Sequence, residues 1–168
     1  MRNRFLVVCF TLLSGSLFAQ EGFKLGIQGG LPLENDAVSL SVGLDTGYMY
    51  ALGEVVDIGI MTGFIYGFAE TFQSDVVVAD LPDIQFLPIA AGIRIWPSNS
   101  FSIGGEIGQA VGINDGNDGG LYYRPVIGYM MGAKTEVNLS YTGIQLDGDS
   151  WTSVNFGIMY TFTSKRSR

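Results

Sequence analysis

Two sets of ionisable residues in this sequence could do chemistry. The first is Lys24, Asp45, Asp57, Arg94, Glu106 and Arg124, each lying among residues that alternate between apolar side chains and Gly, Ser, Ala or Asn. Three are basic and three acidic. Charges held away from water must pair, because an unpaired one costs several kcal/mol. The pattern therefore predicts a salt-bridge network filling an interior, with a polar ion path as the alternative. The second set is acidic only: Glu34, Asp36, Glu70, Asp75, Asp80, Asp83, Asp115, Asp118, Asp147 and Asp149, in segments with no Lys or Arg. Gathered at one rim, these residues make a negative collar. Such a collar can bridge through divalent cations to anionic lipid headgroups or to a partner surface; Asp also simply suits turns and solvated loops. The run Asn114-Asp115-Gly116-Asn117-Asp118-Gly119-Gly120 resembles a calcium loop only superficially, since its spacing misses D-x-[DN]-x-[DN]-G and no Glu closes it. It reads as glycine-assisted turns, and no metal site is expected.

Other chemistries are excluded by what the sequence lacks. There is no histidine, which removes Ser-His-Asp triads, Cys-His dyads and imidazole zinc sites. The only cysteine is Cys9, inside an apolar run. No catalytic set and no cofactor is expected. The formal charge is −7, which argues against nucleic acid, whose phosphates demand basic patches.

The elements that must position these residues read as strands. Residues 1–20 have the layout of a secretory signal peptide: Arg2 and Arg4, then the apolar stretch Phe5 to Leu13, then small residues with a cut after Ala19 or Gln20. Nine apolar residues are too few for a helix across roughly 30 Å of hydrocarbon. Removing this segment takes away two bases and no acid, making the remainder more acidic. From residue 21 onward there is no helical period, and glycine recurs too often for helices. Apolar residues alternate with period two in eight segments: 23–31, 38–51, 56–68, 84–96, 101–113, 121–134, 136–146 and 151–162. In the seventh the parity slips near Gly143, predicting a bulge there. Connections near 52–55, 97–100 and 134–136 are tight. Those near 32–37, 69–83, 114–120 and 147–150 include the long and Asp/Asn/Gly-rich ones, so the array is a meander of hairpins. In the connection 69–83, Asp75-Val76-Val77-Val78-Ala79-Asp80 has high β propensity and predicts a hairpin extension with an edge open to a partner.

The polar face decides which side meets water. Only 15% of the residues are charged and 24 are glycine, against about 25% charged in an ordinary soluble domain. A solvent face would carry Lys and Glu, whereas a narrow eight-strand interior needs small residues. The apolar face is therefore expected to meet lipid. Aromatics gather near both ends, as membrane interfaces select: Phe23, Tyr48, Tyr50, Trp96, Phe101, Tyr160 and Phe162 at one, and Phe64, Tyr66, Phe68, Phe86, Tyr122, Tyr123 and Trp151 at the other. The fold class expected is all-β, an eight-stranded antiparallel up-and-down transmembrane β-barrel over residues 21–162, with a short basic tail at 163–168.

Over about residues 23–162 the chain resembles the small eight-stranded outer-membrane β-barrels of the OmpX and OmpA transmembrane-domain type. The final strand, with Phe156, Ile158, Tyr160 and Phe162 at alternate positions, resembles the terminal insertion signal of that group, except that six residues follow Phe162. The resemblance implies the bacterial outer membrane as location, and outer-membrane lipid and the barrel-assembly machinery as partners. Lipid-modifying barrel enzymes rely on a histidine that this chain lacks. The expected function is therefore a structural or surface-interaction, adhesion-like role, with an extracellular protein contacted through loop 69–83. The alternatives are a small pore or ion conductor and, further off, a secreted lipocalin-like binder of an apolar ligand.

Overall fold

Period-two alternation puts the small and polar residues of each segment on one face, and a strand whose other face is apolar must turn that face to something other than water. The computed structural model describes residues 22–33, 38–69, 71–73, 78–80, 83–114 and 116–163. Its strands are β1 (Gly22–Pro32), β2 (Val38–Ala51), β3 (Val56–Ala69), β4 (Thr71–Gln73), β5 (Val78–Asp80), β6 (Ile84–Ile95), β7 (Phe101–Gly112), β8 (Gly120–Met130), β9 (Thr135–Gln145) and β10 (Ser150–Thr163). The eight long strands close into an all-antiparallel barrel in the order β1-β10-β9-β8-β7-β6-β3-β2. The seam is a continuous ladder from Gly22 opposite Thr163 to Pro32 opposite Ser153. Closure removes the unpaired edges that an open sheet would expose. The short strands β4 and β5 pair as a separate two-stranded sheet between β3 and β6.

One end of the barrel carries the tight turns. The turn 131–134 lets Gly132 take φ 90°, which a residue with a Cβ rarely adopts, and is closed by Met131 N–H donating to the Thr135 carbonyl at 2.7 Å. This places the turn earlier than the expected connection at 134–136, so β9 begins at Thr135 and includes Glu136. The predicted bulge near Gly143 is absent: β9 pairs with β10 without a break from Gln145–Ser150 to Thr135–Tyr160. What changes there is the polarity of the interior. Ile144 points inward in the same parity as Thr142 and is fully buried. The register shift lies instead between Val38 and Leu40.

Outward positions are apolar all round. Ile27, Leu44, Ile60, Ile89, Ile103, Ile107, Ile127, Leu139 and Phe156 are exposed, while Ser, Asn, Thr and charged residues at alternate positions are buried. A lipocalin-like barrel would have these faces reversed. The interior also holds larger side chains than a face of Gly, Ser, Ala and Asn predicts. Phe86, Tyr122 and Trp151, expected at the outer aromatic girdle, are buried with Ile65, Ala90, Ala110 and Ile144 in one apolar cluster at the long-loop end. Trp96, expected at the other girdle, is buried as well. Each shares strand parity with inward neighbours, such as Phe86 with Ala90 and Tyr122 with Arg124. The remaining girdle aromatics stay outside, with Tyr66 packed against Phe68 and Tyr160 against Phe162, both at 4.8 Å between ring centroids.

Candidate functional site

The centre of the barrel is a chain of ion pairs built from single inward residues on different strands. Arg124 on β8 reaches across to β2, its Nη1 3.0 Å from Asp45 Oδ2 and 3.7 Å from Glu106 Oε2 on β7. Its Nε donates to Ser140 Oγ on β9 at 3.0 Å. Glu106 is shared: its Oε1 lies 3.3 Å from Arg94 Nη2 on β6, and its Oε2 accepts from the Tyr122 hydroxyl at 3.1 Å. Arg94 continues to Glu136 Oε1 at 3.9 Å, and Ser102 Oγ donates to that same oxygen at 3.4 Å. Gln28 on β1 donates to Asp45 Oδ1 at 3.1 Å. Near the tight-turn end, Lys24 Nζ donates to Thr161 Oγ1 at 3.3 Å across the seam, and Asp57 Oδ2 accepts from Trp96 Nε1 at 2.8 Å. All these ionisable side chains are buried.

The structure thus places Lys24, Asp45, Asp57, Arg94, Glu106 and Arg124 inside, and joins Asp45, Arg94, Glu106 and Arg124 directly. Sequence reasoning missed Glu136, because it stood at the boundary between the turn 134–136 and the strand 136–146 and was assigned to neither face. The signal was available: Glu136 has the parity of Asn138 and Ser140, both buried. It also missed the side chains that fill the barrel beside the charges. Met49, Met61 and Met159 pack together, and adapt to irregular space because the thioether chain is unbranched. With the aromatic cluster at the long-loop end, they leave the charged groups enclosed by side chains. That geometry fixes charges in place and holds the Ser102 and Tyr122 hydroxyls as donors to Glu136 and Glu106.

The long-loop end is organised by hydrogen bonds back to the strands. Asp83, just before β6, accepts from the Ala69 backbone N–H at 3.0 Å and from the Tyr66 hydroxyl. These donors hold its carboxyl below its ordinary value of 3.8. This pins the base of the connection that carries the β4–β5 hairpin. The next long connection is tied down by amides: Asn114 Oδ1 accepts from Gln85 N–H at 2.9 Å, and Asn117 Nδ2 donates to the Gln85 carbonyl at 3.0 Å. Gly116 and Gly119 turn the chain at φ 78° and 71°. Asp118, Asp147 and Asp149 are exposed here. Asp80 ends β5. Glu34, Asp36, Glu70, Asp75 and Asp115, and the segments 1–20 and 164–168, lie outside the described residues. Of the terminal strand, Phe156, Ile158, Tyr160 and Phe162 all face outward.

Apolar residues outside, paired charges inside and a closed antiparallel ring define an eight-stranded transmembrane β-barrel. Solved structures agree in fold. The crystal structure of Ail, the attachment invasion locus protein of Yersinia pestis, is 18% identical over 84% of this chain and 99% of its own, with a TM-score of 0.56. Its backbone structure in a phospholipid bilayer nanodisc gives 17% and 0.55, covering 84% of this chain and 100% of that one. A de novo designed transmembrane β-barrel gives 13% and 0.53, over 84% and 96%. No protein-family model and no curated protein matches the chain in sequence.

Proposed function

We propose that this barrel is a closed structural scaffold of the outer membrane that carries a surface-interaction site on its long-loop end, and that it is not an enzyme. The observation that supports this most is the interior. Arg94, Arg124, Glu106, Asp45 and Glu136 span the lumen in direct pairs, next to the cluster around Phe86, Tyr122 and Trp151. Such a core supports a plug more than a pore, which leaves the loops and the outer wall for function. The β4–β5 hairpin then presents strand edges to an extracellular protein partner, by adding a strand to its two-stranded sheet. Phe156, Ile158, Tyr160 and Phe162 serve as the insertion signal read by the barrel-assembly machinery.

Ail is named as an attachment invasion locus protein, and it has been crystallised in complex with the heparin analogue sucrose octasulfate. A similar surface role suits this chain, but a sulfated polyanion does not. Its long connections hold ten acidic residues and no base, so sulfate groups meet repulsion and a basic partner meets attraction. The test is surface labelling of segment 69–83 in intact cells, followed by crosslinking, with deletion of residues 71–80 as control. The expected result is a label on intact cells and a crosslinked protein that disappears with the deletion. Labelling only after the cells are broken would overturn the assignment of this end to the cell surface.

A further inference from the structure

The bases that do not fill the lumen are gathered at one place. Besides Arg2 and Arg4, the sequence has Lys24, Arg94, Arg124, Lys134, Lys165, Arg166 and Arg168. The first three of these are buried. Lys134 is exposed on the tight turn 131–134, and its backbone carbonyl accepts from the Thr161 N–H at 2.8 Å. Two residues beyond Thr161, β10 ends at Thr163 opposite Gly22. Lys165, Arg166 and Arg168 follow at once, and covalent reach alone keeps them within about 18 Å of Thr163. The acids nearest to them in the topology are Glu54, exposed on the turn between β2 and β3, and Glu21, which precedes Gly22. Four bases thus face two acids at this part of the tight-turn rim.

We propose that this basic part of the rim, Lys134 with the segment after Thr163, binds the headgroups of anionic phospholipids in the leaflet on its side. Depth selects the partner. The end of β10 carries Tyr160 and Phe162 on the outer wall, their rings 4.8 Å apart, and Phe23 packs on Phe162 at 5.9 Å. Aromatic rings of this kind mark the level of the headgroups, so the bases that follow start beside phosphate and not beside hydrocarbon. A base near a membrane surface gains from the negative charge of anionic lipid, and the guanidinium fork of Arg166 or Arg168 matches phosphate oxygens. A protein partner fits less well, because Ser164-Lys165-Arg166-Ser167-Arg168 offers no apolar side chain to form the core of an interface.

The test is fluorescence quenching in phosphatidylcholine vesicles that carry a spin-labelled lipid, either phosphatidylglycerol or phosphatidylcholine with the label at the same chain position. In a Cys9→Ser background, a dye is attached through Met131→Cys, beside Lys134, or through Leu121→Cys at the other end, both exposed positions. At Met131→Cys the labelled phosphatidylglycerol is expected to associate about fivefold better than the labelled phosphatidylcholine, less so at high salt. No such preference is expected at Leu121→Cys. Lys165→Gln, Arg166→Gln and Arg168→Gln together should remove most of the preference, with heat-modifiable gel mobility confirming that the barrel is folded. Adding Asp118→Asn, Asp147→Asn and Asp149→Asn at the far end returns the net charge to its starting value and should not return the preference. The proposal is overturned if the dye beside Lys134 meets both lipids alike, if the preference is equal at the two ends, or if the folded triple variant keeps it in full. It is equally overturned if the charge-compensated variant regains it, since net charge and not this rim would then select the lipid.

Discussion

Gly104 and Gly105 are adjacent on β7 and live under opposite constraints. A Cβ on Gly104 would sit 2.2 Å from the Ile93 carbonyl oxygen, a backbone atom that cannot move aside, whereas one on Gly105 is in ordinary contact. Gly104→Ala should therefore cost at least the roughly 1–3 kcal/mol of an overpacked site. Gly105→Ala should be neutral or stabilise by about 0.4–1 kcal/mol through the unfolded chain. Urea unfolding midpoints in lipid vesicles check both. Arg124 is the other decisive residue. Arg124→Met leaves Asp45 and Glu106 short of their shared partner and should cost about 3–5 kcal/mol, while adding Asp45→Asn and Glu106→Gln should recover much of it. Full stability of the single variant would show that the network contributes nothing. The charged residues were legible in the sequence because a charge inside an otherwise small-residue face admits one explanation. Phe86, Tyr122 and Trp151 were not, because sorting aromatics by distance from the strand ends ignores their parity. An aromatic near an end can fill the lumen as readily as it can face the lipid interface.

Strand number, order of connection and outward faces follow from period two, so the barrel itself was readable before any coordinates. Boundaries were less so. The chain turns at 131–134 because Gly132 accepts a positive φ, and a connection set at 134–136 left Glu136 on the boundary with no face assigned. The supposed slip at Gly143 failed for a related reason: parity had been judged by polarity, and the interior turns apolar at Ile144. Pro88 on β6 has no N–H to give its ladder. The ladder of β3 with β6 skips Gly63 and Phe64 beside Pro88, and Thr62 Oγ1 donates to the Pro88 carbonyl at 2.7 Å. At this scale facing can be tested directly: Ile89→Arg, on the lipid side at the middle of β6, should cost about 2–4 kcal/mol.

The base of the β4–β5 connection makes a pH prediction. Asp83 is held as a carboxylate by the Ala69 N–H and the Tyr66 hydroxyl, with its carboxyl below the ordinary value. A lowered folded value means that its contribution is present above the unfolded value and lost as pH falls through the folded one. Proteolysis of segment 69–83 should thus be unchanged across neutral pH and increase only once acid falls below the ordinary value of 3.8. Asp83→Asn should be nicked more readily at neutral pH. Equal protection of variant and wild type would remove the clamp.

For the molecule as a whole, each face has one task. The wall is apolar because it meets lipid, and the lumen carries opposed charges because each is held by its partner. Planar-bilayer recording should give no current above background for the folded protein; steady single-channel steps would restore the pore. The central claim is the direction of the side chains, and Ile and Val methyl groups report it without any substitution. In phospholipid nanodiscs, nuclear Overhauser contacts to acyl-chain methylenes should appear for Ile27, Ile60, Ile89, Ile103, Ile127 and Ile158, which face out, and be absent for Ile65, Val126 and Ile144, which face in. Contacts at Ile65 and Ile144 with none at Ile60 and Ile103 would mean that the barrel is inside out, and the account would be wrong.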